Sequence, residues 1–331
     1  MMPSGEIAAL YEDKRVLVTG AGGFVGGSIV ACLAEAGCRV RRHSRKPLPP
    51  LGNPRVDDVA GEVREQGLWD RVLDGVDVVF HCAAQTSVYQ ADSDPLGDLA
   101  ANVAFPLRLL EAARRSPGMV TVVLASTATV VGLADSLPVE HSRRPMPVTA
   151  YDVGKLAAEQ YLSLYVRLGH VRGGALRLAN VFGPGPGSSA ADRGVLNKVL
   201  QRALDGGPVS LFGDGRWVRD YVFIDDVVAA FLRAGGTGDA LGGEAYHVCT
   251  GQGTTVADAF RMAAEVAALR TGHDVEIVGV PLPEGLSAIE FRDFVGSWDA
   301  LHRAVGWRPS VSLRDGLERT AAAFLSRPPH P

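Results

Sequence analysis

Arg15-Val-Leu-Val-Thr19 runs directly into Gly20-Ala-Gly-Gly-Phe-Val-Gly26, and this stretch decides how the chain is read. A short β-rich run meets a glycine-rich turn, and a helical stretch through Ala36 follows. Gly20 permits the tight turn. Gly22 or Gly23 removes a Cβ where the backbone must come close to a pyrophosphate, and Gly26 lets the helix pack closely on the strand. The helix N-terminus then turns N–H groups and a partial positive charge towards the phosphates. Strand, turn and helix in this order predict a dinucleotide site built from Gly20, Gly22, Gly23, Phe24, Val25 and Gly26.

Working outward, strand-like and helix-like segments alternate. Arg39–His43, Val76–Cys82, Met119–Ser126 and Val171–Leu178 read as strands. Pro95–Arg115 and Ala150–Leu168 read as helices. Near-continuous apolar strands separated by helices predict an α/β fold with a doubly wound parallel sheet covered on both faces. After Asn180 the texture changes, with Gly183-Pro-Gly-Pro-Gly-Ser-Ser189 opening a loop or a second lobe. Farther on, Asp225–Ala234 and Val256–Leu269 read as helices and Tyr246–Cys249 as a strand. The expected division is a dinucleotide domain over 10–183, to which 221–250 returns, and a smaller α/β substrate lobe over 184–331.

The bulk numbers suit a small-molecule protein. Of 331 residues, 47% are apolar and 21% charged, enough for a full core and a second lobe. A net charge of −4 with acids and bases interspersed argues against a nucleic-acid partner. Four cysteines without CxxC or zinc-like spacing read as buried apolar groups, and no metal is expected. Met1–Lys14 lacks a long apolar core, so neither secretion nor a membrane is expected, and the predicted location is the cytoplasm.

The end of the second strand usually selects the dinucleotide. A carboxylate there would bind the adenosine ribose hydroxyls, but this chain reads Val40-Arg-Arg-His-Ser-Arg-Lys46. Ser44 stands near the acid's place and Arg45 follows. Cationic groups without an acid suit a 2′-phosphate, so NADP is favoured over NAD.

Tyr151-Asp-Val-Gly-Lys155 places a phenol and an ammonium four residues apart, on one face of a helix. A free tyrosine titrates near pH 10, too high for an efficient base near neutrality. A cation about 5 Å away, at an effective dielectric of about 20, contributes roughly 3 kcal/mol, or some two pKa units. The pair can then exchange a proton with an alcohol oxygen while hydride moves at its carbon. Ala125-Ser-Thr-Ala-Thr-Val-Val-Gly132 supplies hydroxyls at a strand end that can hold the reacting oxygen, Thr127 among them.

Taken together these motifs resemble the extended short-chain dehydrogenase/reductases, the nucleotide-sugar epimerase/dehydratase group, with a Rossmann-type sheet. The resemblance rests on TGAGGFVG at Thr19–Gly26, GVDVVFHCAA at Gly75–Ala84, ASTATVVG at Ala125–Gly132 and YDVGK at Tyr151–Lys155. It continues through RLANVFGPG at Arg177–Gly185, FGDGRWVRDYVFIDDV at Phe212–Val227 and VGWRPSVSLRDGL at Val305–Leu317. It implies Thr127 as the catalytic hydroxyl, Tyr151 as acid/base, and Lys155 as pKa modulator and ribose ligand. It implies that Cys82, Ala83 and Ala84 line the cofactor, and that Glu62 and Val63 lie by the adenine. Thr86, Asn180, Leu211 and Arg219 would hold the substrate, a nucleotide-diphosphate sugar. Asn102 matches a structural polar position, and relatives suggest a homodimer by analogy. An ion pair of Arg219 with Asp220 or Asp225 is the competing expectation.

Three departures narrow the reaction. Val131 replaces the aromatic residue common before Gly132. Ala128 and Thr129 stand where 4,6-dehydratases carry an Asp-Glu pair, which removes the acid and base for water elimination. The usual C-terminal diphosphate arginine falls near Ser287, with Arg292 able to substitute from a shifted position. The expected reaction is NADPH ketoreduction on an activated deoxysugar. The alternatives are C4 epimerisation with retained cofactor, reduction of a non-sugar ketone, and a non-catalytic dinucleotide sensor.

Overall fold

The computed structural model describes residues 2–62, 65, 67–186 and 194–326. Its strands are β1 (Arg15–Thr19), β2 (Arg39–Ser44), β3 (Val56–Ala60), β4 (Val78–His81), β5 (Thr121–Thr127), β6 (Arg172–Leu178), β7 (Asn180–Phe182), β8 (Val209–Phe212), β9 (Val218–Phe223), β10 (Ala245–Val248), β11 (Gly253–Thr255) and β12 (Ile277–Val280). Seven of them form one parallel sheet in the order β10-β6-β5-β4-β1-β2-β3. The α/β class and the doubly wound sheet are therefore as the sequence predicts.

Burial explains the apolar strands. Val16, Leu17 and Val18 are all fully buried. Val16 and Val18 join a cluster with Ile29, Leu33, Phe231 and Phe80 on one face. Leu17 joins Val79, Leu109, Ala158 and Leu162 on the other. Alternate side chains enter opposite layers, so every position must be apolar.

Chain order makes the crevice. From β1 the chain moves outward to β2 and β3, then returns to place β4 on the other side of β1. At that reversal the connections after β1 and β4 leave in opposite directions, opening a cleft at the carboxyl ends of the strands.

Two local outcomes differ from the sequence reading. Strand β3 was not anticipated, because Val56-Asp-Asp-Val-Ala60 carries no apolar run; its carboxylates serve the neighbouring strand instead. The expected Pro95–Arg115 helix is divided into Pro95–Leu99, a π-helical turn over Ala100–Ala104, and Phe105–Arg114. Pro106 has no N–H for the carbonyl four residues back, which accounts for a shifted ladder at this point.

Beyond β6 the chain builds two smaller sheets. Strand β9 pairs with β7 in parallel and with β11 antiparallel, while β8 pairs with β12. Strand β10 returns to the central sheet beside β6. The glycine- and proline-rich passage lies partly outside the described residues, from 187 onward.

Candidate functional site

The cradle begins where β1 ends. Gly20 has φ +68°, and a Cβ there would lie 2.7 Å from the Ala83 nitrogen and 2.8 Å from the Cys82 carbonyl carbon. A Cβ on Gly26 would collide with the Gly20 carbonyl oxygen. Thr19 Oγ1 lies 2.9 Å from His81 Nδ1 and accepts from Ala83 N–H at 3.2 Å, which ties the ends of β1 and β4 together. The helix Phe24–Glu35 starts at Gly23 with no side chain capping it. Phe24 is buried, whereas Gly22 is exposed and Gly23 and Val25 are half-buried. Closely approaching glycine backbone at an uncapped helix N-terminus fits a dinucleotide pyrophosphate.

At the end of β2 the structure corrects the charge argument. Arg41 and Arg42 are not available to a phosphate. Register places them opposite Asp57 and Asp58 of β3, and they form ion pairs at 2.6 and 2.5 Å. Arg41 also donates to the Arg71 carbonyl at 2.8 Å. A buried charge needs a partner, and each of these arginines finds a carboxylate on the neighbouring strand. Arg45 remains exposed, and the Ser44 hydroxyl donates to the Lys46 carbonyl. Glu62 is exposed just after Gly61, whose N–H donates to the Ser44 carbonyl at 3.2 Å. Val63 lies outside the described residues.

Tyr151 and Lys155 lie in the first turns of the helix Ala150–Arg167, both buried at 9% and 4% exposure. The charge of Lys155 reaches the far end of β4. Burial pushes the His81 imidazole down to about 3, and the Lys155 ammonium adds to that. Burial pushes the Cys82 thiol up to about 12 against the pull of the same ammonium. Cys82, Ala83, Ala84 and Thr86 are half-buried on the segment leaving β4. Gly154 lets the helix come close, since a Cβ there would lie 2.8 Å from Asp98 Oδ2. Asn102 Nδ2 donates to that carboxylate's Oδ1 at 2.7 Å and to the Gln85 carbonyl at 3.0 Å.

Thr127 closes β5, the strand next to β4, and is half-buried. Its Oγ1 lies 2.8 Å from Thr129 Oγ1, which in turn donates to Asp152. Behind the helix, Glu159 receives Ser126 Oγ and a two-pronged Arg177 guanidinium at 2.7–3.2 Å. Sequence reasoning missed both Asp152 and Glu159. The available signal was a carboxylate directly after Tyr151, in a helix turn begun by a capping Thr149.

Strand β9 and the segment that carries Arg292 bring two guanidinium groups near each other. Arg219 on β9 is 6% exposed; it donates to the Glu290 carbonyl at 2.7 Å and to the Arg292 carbonyl. Neither Asp220 nor Asp225 takes it as an ion-pair partner among the described residues. Asp220 instead accepts from Thr250 and Gly251, and Asp225 lies 3.9 Å from Arg319. Burial and then the charge of Arg219 bring the Arg292 pKa down to about 10. Arg292 also feels Asp152 and Tyr221. Asn180 on β7 pairs in register with Tyr221 on β9, and Leu211 on β8 pairs with Gly279; both side chains are half-buried.

This geometry has close parallels. The model of the NAD dependent epimerase/dehydratase family matches residues 16–249. A UDP-glucose 4-epimerase of Mycolicibacterium smegmatis is 32% identical, covering 95% of this chain and 99% of that protein. A GDP-6-deoxy-D-mannose reductase of Pseudomonas aeruginosa is 30% identical, covering 95% and 98%. The crystal structure of a Thermus thermophilus UDP-glucose 4-epimerase in complex with NAD superposes with a TM-score of 0.81 at 32% identity, covering 94% of this chain and 99% of that one. With the glycine cradle, the buried Tyr–Lys pair and a family match over most of its length, the chain belongs to the NAD dependent epimerase/dehydratase family.

Proposed function

We propose that the protein is an NAD(P)-dependent oxidoreductase of nucleotide-activated sugars, with Tyr151 exchanging the proton. The observation that carries this reading is the position of the Lys155 charge, on the Tyr151 helix and felt at His81 and Cys82 beside the glycine cradle. The glycine cradle would hold the pyrophosphate of a nicotinamide dinucleotide, whose chemistry there would be to supply or accept the hydride. In reduction, the Tyr151 phenol gives its proton to the sugar oxygen as the carbonyl carbon becomes a carbinol. Oxidation reverses the transfer, and the Lys155 ammonium stabilises the phenolate that results. Thr127 holds the reacting oxygen from the end of β5. Arg219 and Arg292 converge where a diphosphate's charge offsets their mutual repulsion. Thr86, Asn180 and Leu211 complete the proposed substrate side. The dinucleotide half spans 10–183 with 221–250.

For the net reaction, ketoreduction with NADPH is supported by Ser44 and Arg45 at the end of β2. C4 epimerisation with retained NAD is the second reading. It is favoured by the M. smegmatis relative and by the neutralisation of Arg41 and Arg42. Reduced-nicotinamide absorbance during a screen of UDP-, GDP- and dTDP-sugars separates the two. Net NADPH consumption supports reduction, and product without net absorbance change supports epimerisation. Turnover of none of these sugars overturns the substrate class. The proposed assembly is a homodimer, supported by exposed Leu164 on the Tyr151 helix and Leu168 just past its end; a monomeric mass in light scattering overturns it.

A further inference from the structure

Asp152 follows the proposed acid/base in sequence and is fully buried. Its two oxygens are engaged by different hydroxyls. Thr129 Oγ1 bonds Oδ1, and Thr149 Oγ1 bonds Oδ2 at 2.7 Å. Thr149 Oγ1 itself accepts from the Asp152 N–H at 3.2 Å. Thr129 Oγ1 also lies 2.8 Å from Thr127 Oγ1, in a contact either atom can donate. The Thr129 N–H donates to Thr127 Oγ1 at 3.2 Å. A continuous chain therefore joins Asp152, Thr129 and Thr127, the hydroxyl beside the proposed reacting oxygen.

Each hydroxyl has one proton to give, so the carboxyl sets the direction of the whole chain. When Asp152 is ionised, the Thr129 proton is spent on Oδ1. The Thr127–Thr129 bond then needs the Thr127 proton, which turns inward, leaving Thr127 only lone pairs for the crevice. When Oδ1 carries a proton, it donates to Thr129, Thr129 donates to Thr127, and the Thr127 proton points at the reacting oxygen. Negative charge builds on that oxygen during hydride transfer in either direction, so a donor is the useful form.

We propose that Asp152 is a positioning residue whose protonated form, acting through Thr129, turns the Thr127 hydroxyl into a hydrogen-bond donor to the reacting oxygen. The proposal rests on the reading of Thr127 given above and deepens it.

The surroundings favour the proton. Burial raises the Asp152 pKa above the ordinary carboxylate value, and Asp92, which accepts the Ala150 N–H at 3.3 Å, adds to the rise. The Thr129 and Thr149 hydroxyls and the Arg292 guanidinium oppose it, as does the N-terminus of its own helix. An anion seated on Arg292 cancels that cation's pull, so a bound diphosphate moves Asp152 further towards its acid form.

The sign follows directly. With a raised pKa the acid form is present at low pH and lost as pH rises, so kcat gains an alkaline fall that belongs to Asp152. Asp152→Asn holds the chain in the donor direction, because Oδ1 can accept from Thr149 while Nδ2 donates to Thr129. Asp152→Leu and Thr129→Val each break it.

The test uses the sugar nucleotide turned over fastest in the absorbance screen. Asp152→Leu and Thr129→Val should each lower kcat on the order of ten-fold, with KM within about two-fold and no further loss when combined. Asp152→Asn should recover turnover relative to Asp152→Leu and remove the alkaline fall. Infrared difference spectra across pH, with UDP as the bound probe, should show a protonated carboxyl band that is missing in Asp152→Asn. Thr129→Val leaves the Asp152–Thr149 contact in place, so it decides the matter even if Asp152→Leu does not fold. Full kcat in Thr129→Val with turnover lost in Thr127→Val overturns the proposal and leaves Thr127 in its role. Full kcat in Thr127→Val overturns that role, and the proposal with it. An unchanged pH profile in Asp152→Asn, or a carboxyl band that persists there, also overturns it.

Discussion

Glu159→Leu tests what holds the Tyr151 helix against the sheet. The Glu159 and Arg177 side chains are only 3% and 6% exposed, and three N–O distances of 2.7–3.2 Å join them. The pair ties the helix Ala150–Arg167 to β6, and Ser126 Oγ adds β5 at 2.5 Å. Removing the carboxylate strands a guanidinium that water cannot reach, which costs about 3–5 kcal/mol. The orphaned Ser126 hydroxyl raises the figure within that range rather than adding to it in full. Against an ordinary total of about 5–15 kcal/mol, this is roughly a fifth of the stability or more. Removing both charges is different, because the desolvation penalty disappears along with the attraction. Glu159→Leu/Arg177→Met should therefore recover most of the loss, a coupling of about 3 kcal/mol. Urea unfolding followed by both fluorescence and circular dichroism gives the values, provided the two transitions coincide. A Glu159→Leu unfolding free energy within about 1 kcal/mol of the parent would refute the reasoning. So would a double variant no more stable than the worse single.

Three further outcomes are expected. Tyr151→Phe should lower kcat about 10²–10⁴-fold while dinucleotide affinity, read by fluorescence titration, stays nearly intact; full activity ends the proton-transfer mechanism. Arg45→Ala should weaken NADP more than NAD in the same titration, since its guanidinium is exposed and the neighbouring arginines are spoken for; equal losses refute the 2′-phosphate contact. Arg219→Ala should raise KM for nucleotide-linked sugars, and equal losses with free sugars or aromatic ketones would show that it does not hold a diphosphate.

Much of the frame was legible in the residues. The central strands are buried on both faces, so Val16–Val18, Val78–Phe80 and Val122–Leu124 had to be apolar runs, and such runs are visible without coordinates. Gly20 and Gly26 were legible for a steric reason, since backbone passes where their Cβ atoms would sit. Tyr151 and Lys155 stood out by spacing and by order along the chain. Strand β3 was not legible, because an edge strand whose two valines flank a pair of aspartates looks like a solvated loop. The meaning of Arg41 and Arg42 was misread for the same reason, as their charges are answered by residues sixteen positions away.

Local sequence determined the apolar central strands, the glycine turn and the helix that carries the Tyr–Lys pair, because those properties depend on neighbours within a few residues. Only the tertiary structure decided which charges are already satisfied and which converge. Arg41 meets Asp57 across a strand register, Arg219 meets Arg292 through a long excursion of the chain, and Asp152 reaches Thr127 through Thr129 on another element. Electrostatic and hydrogen-bond partners act through space over a few ångströms, and sequence separation carries almost no information about that distance.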